Sequence, residues 1–388
     1  MSKDKIEILI GSDLVPTDSN IQLFEKADIN ELIGNELKEK LNKADIRIFN
    51  LEAPITESNK ILEKCGPNLK ISPRCIKGLK ALNPTLLSLA NNHIMDYGEE
   101  GLNDTLKILK NNDIEYIGVG KNINKLKKKI IFKNSDIKIG IYACAEHEFT
   151  IATSDKPGVV PFNLIDTIEE IKKLKKICSY VVVLYHGGKE HYRYPSPELK
   201  VNCNKMIEYG ADIVICQHSH CIGSYEKYKN GIIIYGQGNF IFDEDRSEFW
   251  QTSLLLNVIF SEKNMKIDYI PVVRKKEKIR LANLEQSNKI IKEFEERSKE
   301  ILKKGFIEEK YKSFSLEYIN KYLYAFSMMP GPIKIIDKNI LRGKLLKLYY
   351  RKMHRILMGL NFIECEAHRE LFIQGLKEML KNNKGKEK

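Results

Sequence analysis

Six polar positions have the residue types to hold metal ions between them: Asp13, Glu52, Asn92, His186, His218 and His220. Carboxylate, amide oxygen and imidazole together suit borderline divalent cations such as Mn, Fe or Zn, and one carboxylate can bridge two ions. Each position closes or follows an apolar run: IEILIGS precedes Asp13, DIRIFNL precedes Glu52, TLLSLAN precedes Asn92 and His93, VVVLY precedes His186, and DIVICQ precedes His218. Taken singly, each has an ordinary structural reading. A histidine behind a buried strand commonly completes a hydrogen bond, Asp13 suits a helix cap or turn, and Asn91-Asn92-His93 suits a turn. His218 and His220 are the more pointed pair, since side chains at i and i+2 of an extended segment face the same way. All six at strand ends, in one order, are hard to ascribe to chance.

The elements that must carry these residues follow from hydrophobic periodicity. Between 6 and 220, short apolar runs (IEILIG, DIRIFNL, TLLSLAN, IEYIGVG, IKIGIYAC, YVVVLYHG, ADIVICQH) alternate with helix-patterned stretches at 99–111, 164–177 and 197–209. That alternation predicts an α/β sheet with crossovers, whose strand C-terminal ends converge on one crest. After 220 the pattern turns hairpin-like, with an Asn230-Gly231 turn inside SYEKYKNGIIIYGQGNFIF and a further pair in 249–273, which predicts a second sheet or antiparallel edge. Beyond about 285 the strand signal ends, and 286–326 and 340–381 read as helices broken by Pro330-Gly331-Pro332. The expected division is therefore a domain over 1–283 and a basic helical extension over 284–388, with NNKGKEK frayed at its end.

Composition narrows the classes. A chain of 388 residues with 43% hydrophobic content can bury a large core. The longest apolar runs fall well short of the roughly 20 residues of a membrane span, and MSKDKIEILI leads straight into a strand with no export signal. Eight scattered cysteines without a CxxC pair read as free thiols, so a cytoplasmic location is expected. The net charge is +12, and residues 281–388 hold 23 Lys and Arg against 14 Asp and Glu. A basic balance of this kind is either a solvated surface or a match for an anionic polymer or lipid, and nucleic acid is not expected. In RGKLLKLYYRKMHR, 342–355, Leu345, Leu346, Leu348, Tyr349, Met353 and Ile356 repeat at near-helical spacing. The stripe is expected to pack on its own domain, with contact to an anionic membrane surface as the alternative. Cys365 and His368 lack further ligands and read as a helix face, Gly236-Gln237-Gly238 is no phosphate loop, and no Gly-x-Ser-x-Gly elbow is present.

Two loops after strands are candidates for substrate contact. Glu146, His147 and Glu148 follow IKIGIYAC and would meet substrate, supply a supplementary ligand or form only a polar loop, and Glu190, Tyr192, Arg193 and Tyr194 continue the loop after His186. An arginine such as Arg193 either grips a carboxylate or phosphate or faces water.

The motifs GSD (11–13), FNLEAPIT (49–56), SLANNHIMDYGEEGL (88–102), HGGKE (186–190), GADIVICQHSH (210–220) and YGQGNFIFD (235–243) resemble the CapA family of bacterial capsule or poly-gamma-glutamate synthesis proteins, related to calcineurin-like metallophosphoesterases. The resemblance implies a metallophosphoesterase-like four-layer α/β/β/α double sheet. It implies that Asp13 and His220 bind one metal, that Asn92, His186 and His218 bind another, and that Glu52 bridges the two. By the same resemblance His93 is the general acid, Asp96 either orients it or caps a helix, and the backbone amides of Gly187, Gly188, Gly238 and Asn239 hold an anionic group. The implied activity is two-metal hydrolysis or transfer at a phosphoester, within a surface-polymer synthesis machinery. Two alternatives stand beside it: an amide-type hydrolase acting on poly-gamma-glutamate, and a non-catalytic scaffold. The chain departs from the metallophosphoesterase pattern in two places. Asp13 is followed by Leu14 and Val15 where Asp-x-His is usual, and Glu52 stands where a bridging Asp is usual.

Overall fold

Ile, Val and Leu dominate the strands, and their β-branched or bulky side chains pack well on a pleated surface. In a computed structural model, which describes residues 5–242, 247–327 and 329–384 with side chains through 380, they build two large sheets. The first has the order β17 (Lys278–Leu281), β16 (Met265–Lys275), β15 (Thr252–Ser261), β1 (Lys5–Leu14), β2 (Ile46–Leu51), β3 (Leu86–Ser88) and β4 (Glu115–Ile117), with β14 (Asn239–Ile241) parallel to the end of β1. The second has the order β12 (Tyr225–Tyr228), β13 (Gly231–Ile234), β11 (Ile213–Gln217), β10 (Tyr180–His186), β8 (Ile137–Ala145) and β7 (Lys129–Asn134). A small third sheet joins β6 (Leu126–Lys127), β5 (Val119–Gly120) and β9 (Gly158–Val159). Asp243, the last residue of the YGQGNFIFD motif, and residues 385–388 of the expected frayed tail lie outside the described residues.

Period-two alternation stacks the layers. Ile139 and Ile141 of β8, Val182 and Leu184 of β10, and Ile213 and Ile215 of β11 share one core with Ile8, Ile10 and Ile48 of the first sheet. Their neighbours along the same strands, Tyr142, Cys144, Val181, Val183, Val214 and Cys216, pack instead with Ile171 and Leu174 of helix Leu164–Lys175 and Cys203 and Met206 of helix Pro197–Glu208. Leu32, Leu37, Leu41, Leu79, Leu102 and Leu109, from the helices over 29–33, 35–43, 76–81 and 98–111, join the first sheet's core. The expected four-layer α/β/β/α double sheet is the observed architecture.

At the crest, β1 carries a bulge. Ile10 faces Ile48 on β2, yet Asp13 faces Asn50, so β1 spends one extra residue between those pairs. Gly11 lies in the bulge, where a Cβ would come within 2.5 Å of the Phe49 ring. The carbonyls it exposes are taken up by two glutamines: Gln217 donates to Gly11 O at 3.3 Å and Gln237 to Ile10 O at 3.1 Å. Since Gln217 ends β11, this bond ties the two sheets together at their upper edge.

Three local expectations are adjusted. The hairpin β12–β13 turns at Lys229-Asn230, with Lys229 at φ 49°, and Gly231 already pairs with Tyr228. β14, expected as part of a hairpin, crosses to the first sheet through Gly236 and Gly238, both at positive φ. The compact unit extends to Glu308, past the division expected near 283. Helix Leu284–Glu300 opens with a capping box between Asn283 and Gln286, buries Ile290 and Phe294 against Leu254 and Val273, and receives the Tyr225 amide on Ser298 Oγ at 2.8 Å.

The second unit, from Glu309 onward, is helical over its described residues. Within it Asp337 caps helix Lys344–Tyr349, accepting from Leu345 N at 2.9 Å, Leu346 N at 3.0 Å and Tyr324 Oη at 2.9 Å. The apolar stripe of 342–355 was expected to pack inward. Leu346 does, but Leu345, Leu348, Tyr349, Met353 and Ile356 are exposed. The helices on either side, Gly331–Asn339, Met353–Glu364 and Glu366–Lys384, likewise expose Ile335, Ile336, Leu357, Phe362, Leu371 and Leu380. Among the described residues no helix is long and apolar enough to cross a membrane.

Candidate metal centre

The crest gathers Asp13, Glu52, Asn92, His186, His218 and His220 into one buried cluster, half from each sheet. Register does much of this. Asp13 stands between Asn50 on β2 and Asn239 on β14 as its cross-strand neighbours, and His186 stands beside Gln217 on β11. Asn50 donates its amide to Asp13 Oδ1 at 2.7 Å and lies 3.3 Å from His186 Nδ1, while Asn91 donates to Asn50 Oδ1 at 3.1 Å. Asn91 is in turn oriented by the backbone amides of His93 and Ile94, which donate to its Oδ1. After β11 the backbone twists sharply: His218 has φ 91° and His220 φ 53°, values sparsely populated by side-chain-bearing residues and tolerated where surroundings hold them.

Two of the three donor groups among the described residues share Glu52. Glu52, His186 and His218 make one, and Asp13, Glu52 and His220 make the other. In the first, His186 Nε2 lies 3.0 Å from Asn92 Oδ1, 3.1 Å from His218 Nδ1 and 3.3 Å from Glu52 Oε1. A single ring nitrogen can serve one hydrogen bond, so lone pairs face lone pairs around it. Spacings near 3.0–3.4 Å are what neighbouring ligands show around a small cation with bonds of roughly 2.1 Å. Glu52 Oε1 and Oε2 are buried without a hydrogen-bond donor, and Asp13 Oδ2 is buried with only His220 Nδ1 near it, at 3.4 Å. Leaving such acceptors unmet costs about 1–3 kcal/mol each, more when charged. The set therefore fits divalent cations.

The electrostatics split the centre. Burial opposes charge on His220, but the Glu52 and Asp13 carboxylates and the bonds to Asp13 and Asn239 outweigh it and raise its pKa to about 10. Burial, followed by the imidazoles of His186, His220 and His93 and by Lys189, pushes His218 well below the ordinary histidine value. Burial also works to raise Asp13, yet His220, His186 and Asn50 prevail and hold its carboxyl below the usual range. The Asp13 side thus attracts positive charge, and the His218 side presents neutral imidazole.

His93 lies next to this cluster. Its Nδ1 is 2.7 Å from Asp96 Oδ2. Asp96 also accepts from Leu69 N at 2.7 Å and pairs with Lys64 Nζ at 2.5 Å, and Lys64 Nζ is 3.2 Å from His93 Nδ1. Lys64 lies in an irregular segment, 57–70, that gives no periodic signal, and its part here was not legible in the sequence. Trp250 was likewise missed: it stacks on His220 with ring centroids 4.7 Å apart and donates from Nε1 to His191 Nε2 at 2.8 Å.

The residues expected to meet substrate divide. Glu190 is exposed, and its carboxylate belongs with the His218 and His220 nitrogens. Glu146 is half-buried and turned to the Gly188 amide, which it accepts at 3.0 Å, so it braces the turn after His186. His147 and Glu148 are exposed and belong to no donor group among the described residues. Asn239 is buried behind His220, Oδ1 to Nδ1 at 2.9 Å. The Gly187 and Gly188 amides, expected to hold an anion, are spent on Gln217 O and Glu146. Arg193 is likewise engaged, donating to Ile222 O and resting on the Phe249 ring.

Comparison with known proteins places this geometry. The family described as "Bacterial capsule synthesis protein PGA_cap" matches residues 8–244. The chain is 32% identical over 242 residues to the capsule biosynthesis protein CapA of Bacillus anthracis, covering 60% of this chain and 59% of that protein. It is 32% identical over 203 residues to the PGA biosynthesis protein CapA of Bacillus subtilis, covering 50% and 52%. The matched stretch therefore spans between half and two thirds of those relatives. Among solved structures, a phosphatase from Mycoplasma pneumoniae aligns with a TM-score of 0.43 at 16% identity, over 70% of this chain and 95% of that one.

Proposed function

This chain belongs to the PGA_cap family of bacterial capsule synthesis proteins, and from that premise we propose that it is a two-metal hydrolase of the phosphoester type acting in the making of a surface polymer. One observation carries the reading: both oxygens of buried Glu52 lack a donor and lie between two ligand groups, His186 with His218 and Asp13 with His220. Asp13, Glu52 and His220 would hold one ion, and Glu52, Asn92, His186 and His218 the other. When bound, such a pair supplies an acidified water and neutralises charge on attacking and leaving oxygens.

The chain's own residues do the rest. With Nδ1 turned to Asp96, His93 keeps Nε2 for proton transfer to a leaving oxygen, a task that general acids commonly accelerate by 10²–10⁴-fold. Lys64 and the Leu69 amide fix Asp96 and through it the imidazole plane. Trp250, against His220, walls one flank with apolar surface.

For the helical unit we propose an anionic surface, either membrane or polymer, as partner, supported by its exposed apolar residues and basic excess.

The deciding experiment is elemental analysis of protein purified without added metal, followed by hydrolysis assays on phosphodiesters and gamma-glutamyl oligomers with and without Mn. Two bound equivalents and metal-dependent phosphodiester cleavage support the proposal. Cleavage of gamma-glutamyl oligomers alone would favour amide hydrolysis, and the absence of bound metal would leave the scaffold.

A further inference from the structure

The two halves of the centre are unequal. The His218 side counts four protein donors, Glu52, Asn92, His186 and His218, whereas the Asp13 side counts three, Asp13, Glu52 and His220. The imidazole that an Asp-x-His motif supplies is missing, because Val15 occupies its place and is buried with the core. One further carboxylate stands near His220. The Glu190 carboxylate lies within 4.8 Å of ligand nitrogens of both His218 and His220.

Its position is set by backbone. Gly187 N donates to Gln217 O at 3.1 Å and His191 N to Ser219 O at 2.8 Å, so the segment carrying Glu190 runs alongside the 217–219 stretch as though extending the β10–β11 ladder. His191, at φ 56°, is clamped further by the Trp250 Nε1 bond and by stacking on Phe249 at 5.4 Å. The carboxylate itself makes no hydrogen bond or ion pair among the described residues, and Glu190 is exposed to solvent while His218 and His220 are buried.

We infer that Glu190 is the fourth protein ligand of the ion held by Asp13 and His220, a carboxylate supplied from the second sheet in place of the missing imidazole. The inference rests on the two-metal reading above. It gives each ion four protein donors, and it brings three carboxylates and otherwise neutral ligands against two divalent cations, leaving one net positive charge to draw an anionic group. Because Glu190 faces solvent while Glu52 is buried, it is the ligand an entering substrate can displace.

The test is Mn(II) binding to the full chain, followed by calorimetry and elemental analysis, for wild type, Glu190→Ala, Glu190→His and, as a control on an exposed acid outside the cluster, Glu198→Ala. Wild type and Glu198→Ala should take up two equivalents. Glu190→Ala should keep one and bind the second at least roughly tenfold more weakly, given that even outer-shell partners of ligands are worth 10–100-fold. Glu190→His should recover much of that loss, since it restores an imidazole. If Glu190→Ala binds both ions within twofold of wild type, the assignment is overturned. If wild type itself binds no metal, the parent reading fails instead, and the two failures are distinguishable. Folding of each variant is checked by its unfolding midpoint without metal, which should not move, because the Glu190 side chain is exposed and unpaired.

Discussion

Lys64 and Asp96 form an ion pair of 2.5 Å with side chains only 3% and 0% exposed, and the same aspartate holds His93. A buried charge left without its partner is costly. Lys64→Met should therefore lower stability by about 3–5 kcal/mol, towards the lower end because His93 and the Leu69 amide still face the carboxylate. Urea unfolding at 25 °C reads this, and a loss below about 1 kcal/mol would show that the pair is not buried in solution.

His93→Asn removes the proposed acid and leaves the donor cluster intact. Turnover of phosphodiesters should fall by about 10²–10⁴-fold while metal content stays at the wild-type value. Loss of metal in this variant would mean that His93 is a ligand.

Glu52→Gln should be read on two measurements. In the metal-free protein an isosteric amide removes a buried charge without a hydrogen-bond donor but also the carboxylate that most favours the charged His220, so the His220 pKa should fall from about 10 while the unfolding midpoint shifts little. Metal uptake should collapse for both ions, because both donor groups use this residue. Elemental analysis beside thermal unfolding with a chelator present separates the two effects.

The raised His220 pKa of about 10 sets a pH dependence. Below that value metal-free His220 carries a proton that a cation must expel, so affinity on the Asp13 side should climb about tenfold per pH unit towards 10 and then level off. His218, depressed, is neutral already and demands no such release. Calorimetry in buffers of different ionisation enthalpy should show about one proton freed by one ion and almost none by the other. The sign for folding is the reverse: the His220 contribution is fully present below the ordinary histidine value and fades as pH rises through about 10.

The exposed Ile335, Leu357, Leu371 and Leu380 of the basic helical unit predict binding to anionic lipid vesicles that weakens in salt. Vesicle flotation at low and high ionic strength, with neutral lipid as control, checks it. Equal binding to neutral vesicles would argue against charge attraction.

Much of the centre was legible because strand ends announce themselves. An apolar run followed by Asp13, Glu52 or His186 fixes both the strand and the end at which its polar residue emerges. What periodicity could not carry is how irregular chain folds back. Lys64 lies in a segment without repeat, so nothing in its neighbours says that its ammonium reaches Asp96. Asn50 precedes Glu52 inside FNLE, yet only the bulge in β1 brings it opposite Asp13. Glu146 and Arg193 looked as available as Glu190; backbone partners decided which remained open. The 342–355 stripe was misread because amphipathic spacing tells which residues share a face, not whether anything covers it.

The bond from Gln217 to the Gly11 carbonyl has a wider consequence. Because each sheet contributes half of the six clustered side chains, the spacing of the two proposed ions would gauge how the two slabs of the sandwich are aligned. A core substitution far below the crest that lets one slab slip would be felt first as a change in metal retention, before any loss of secondary structure.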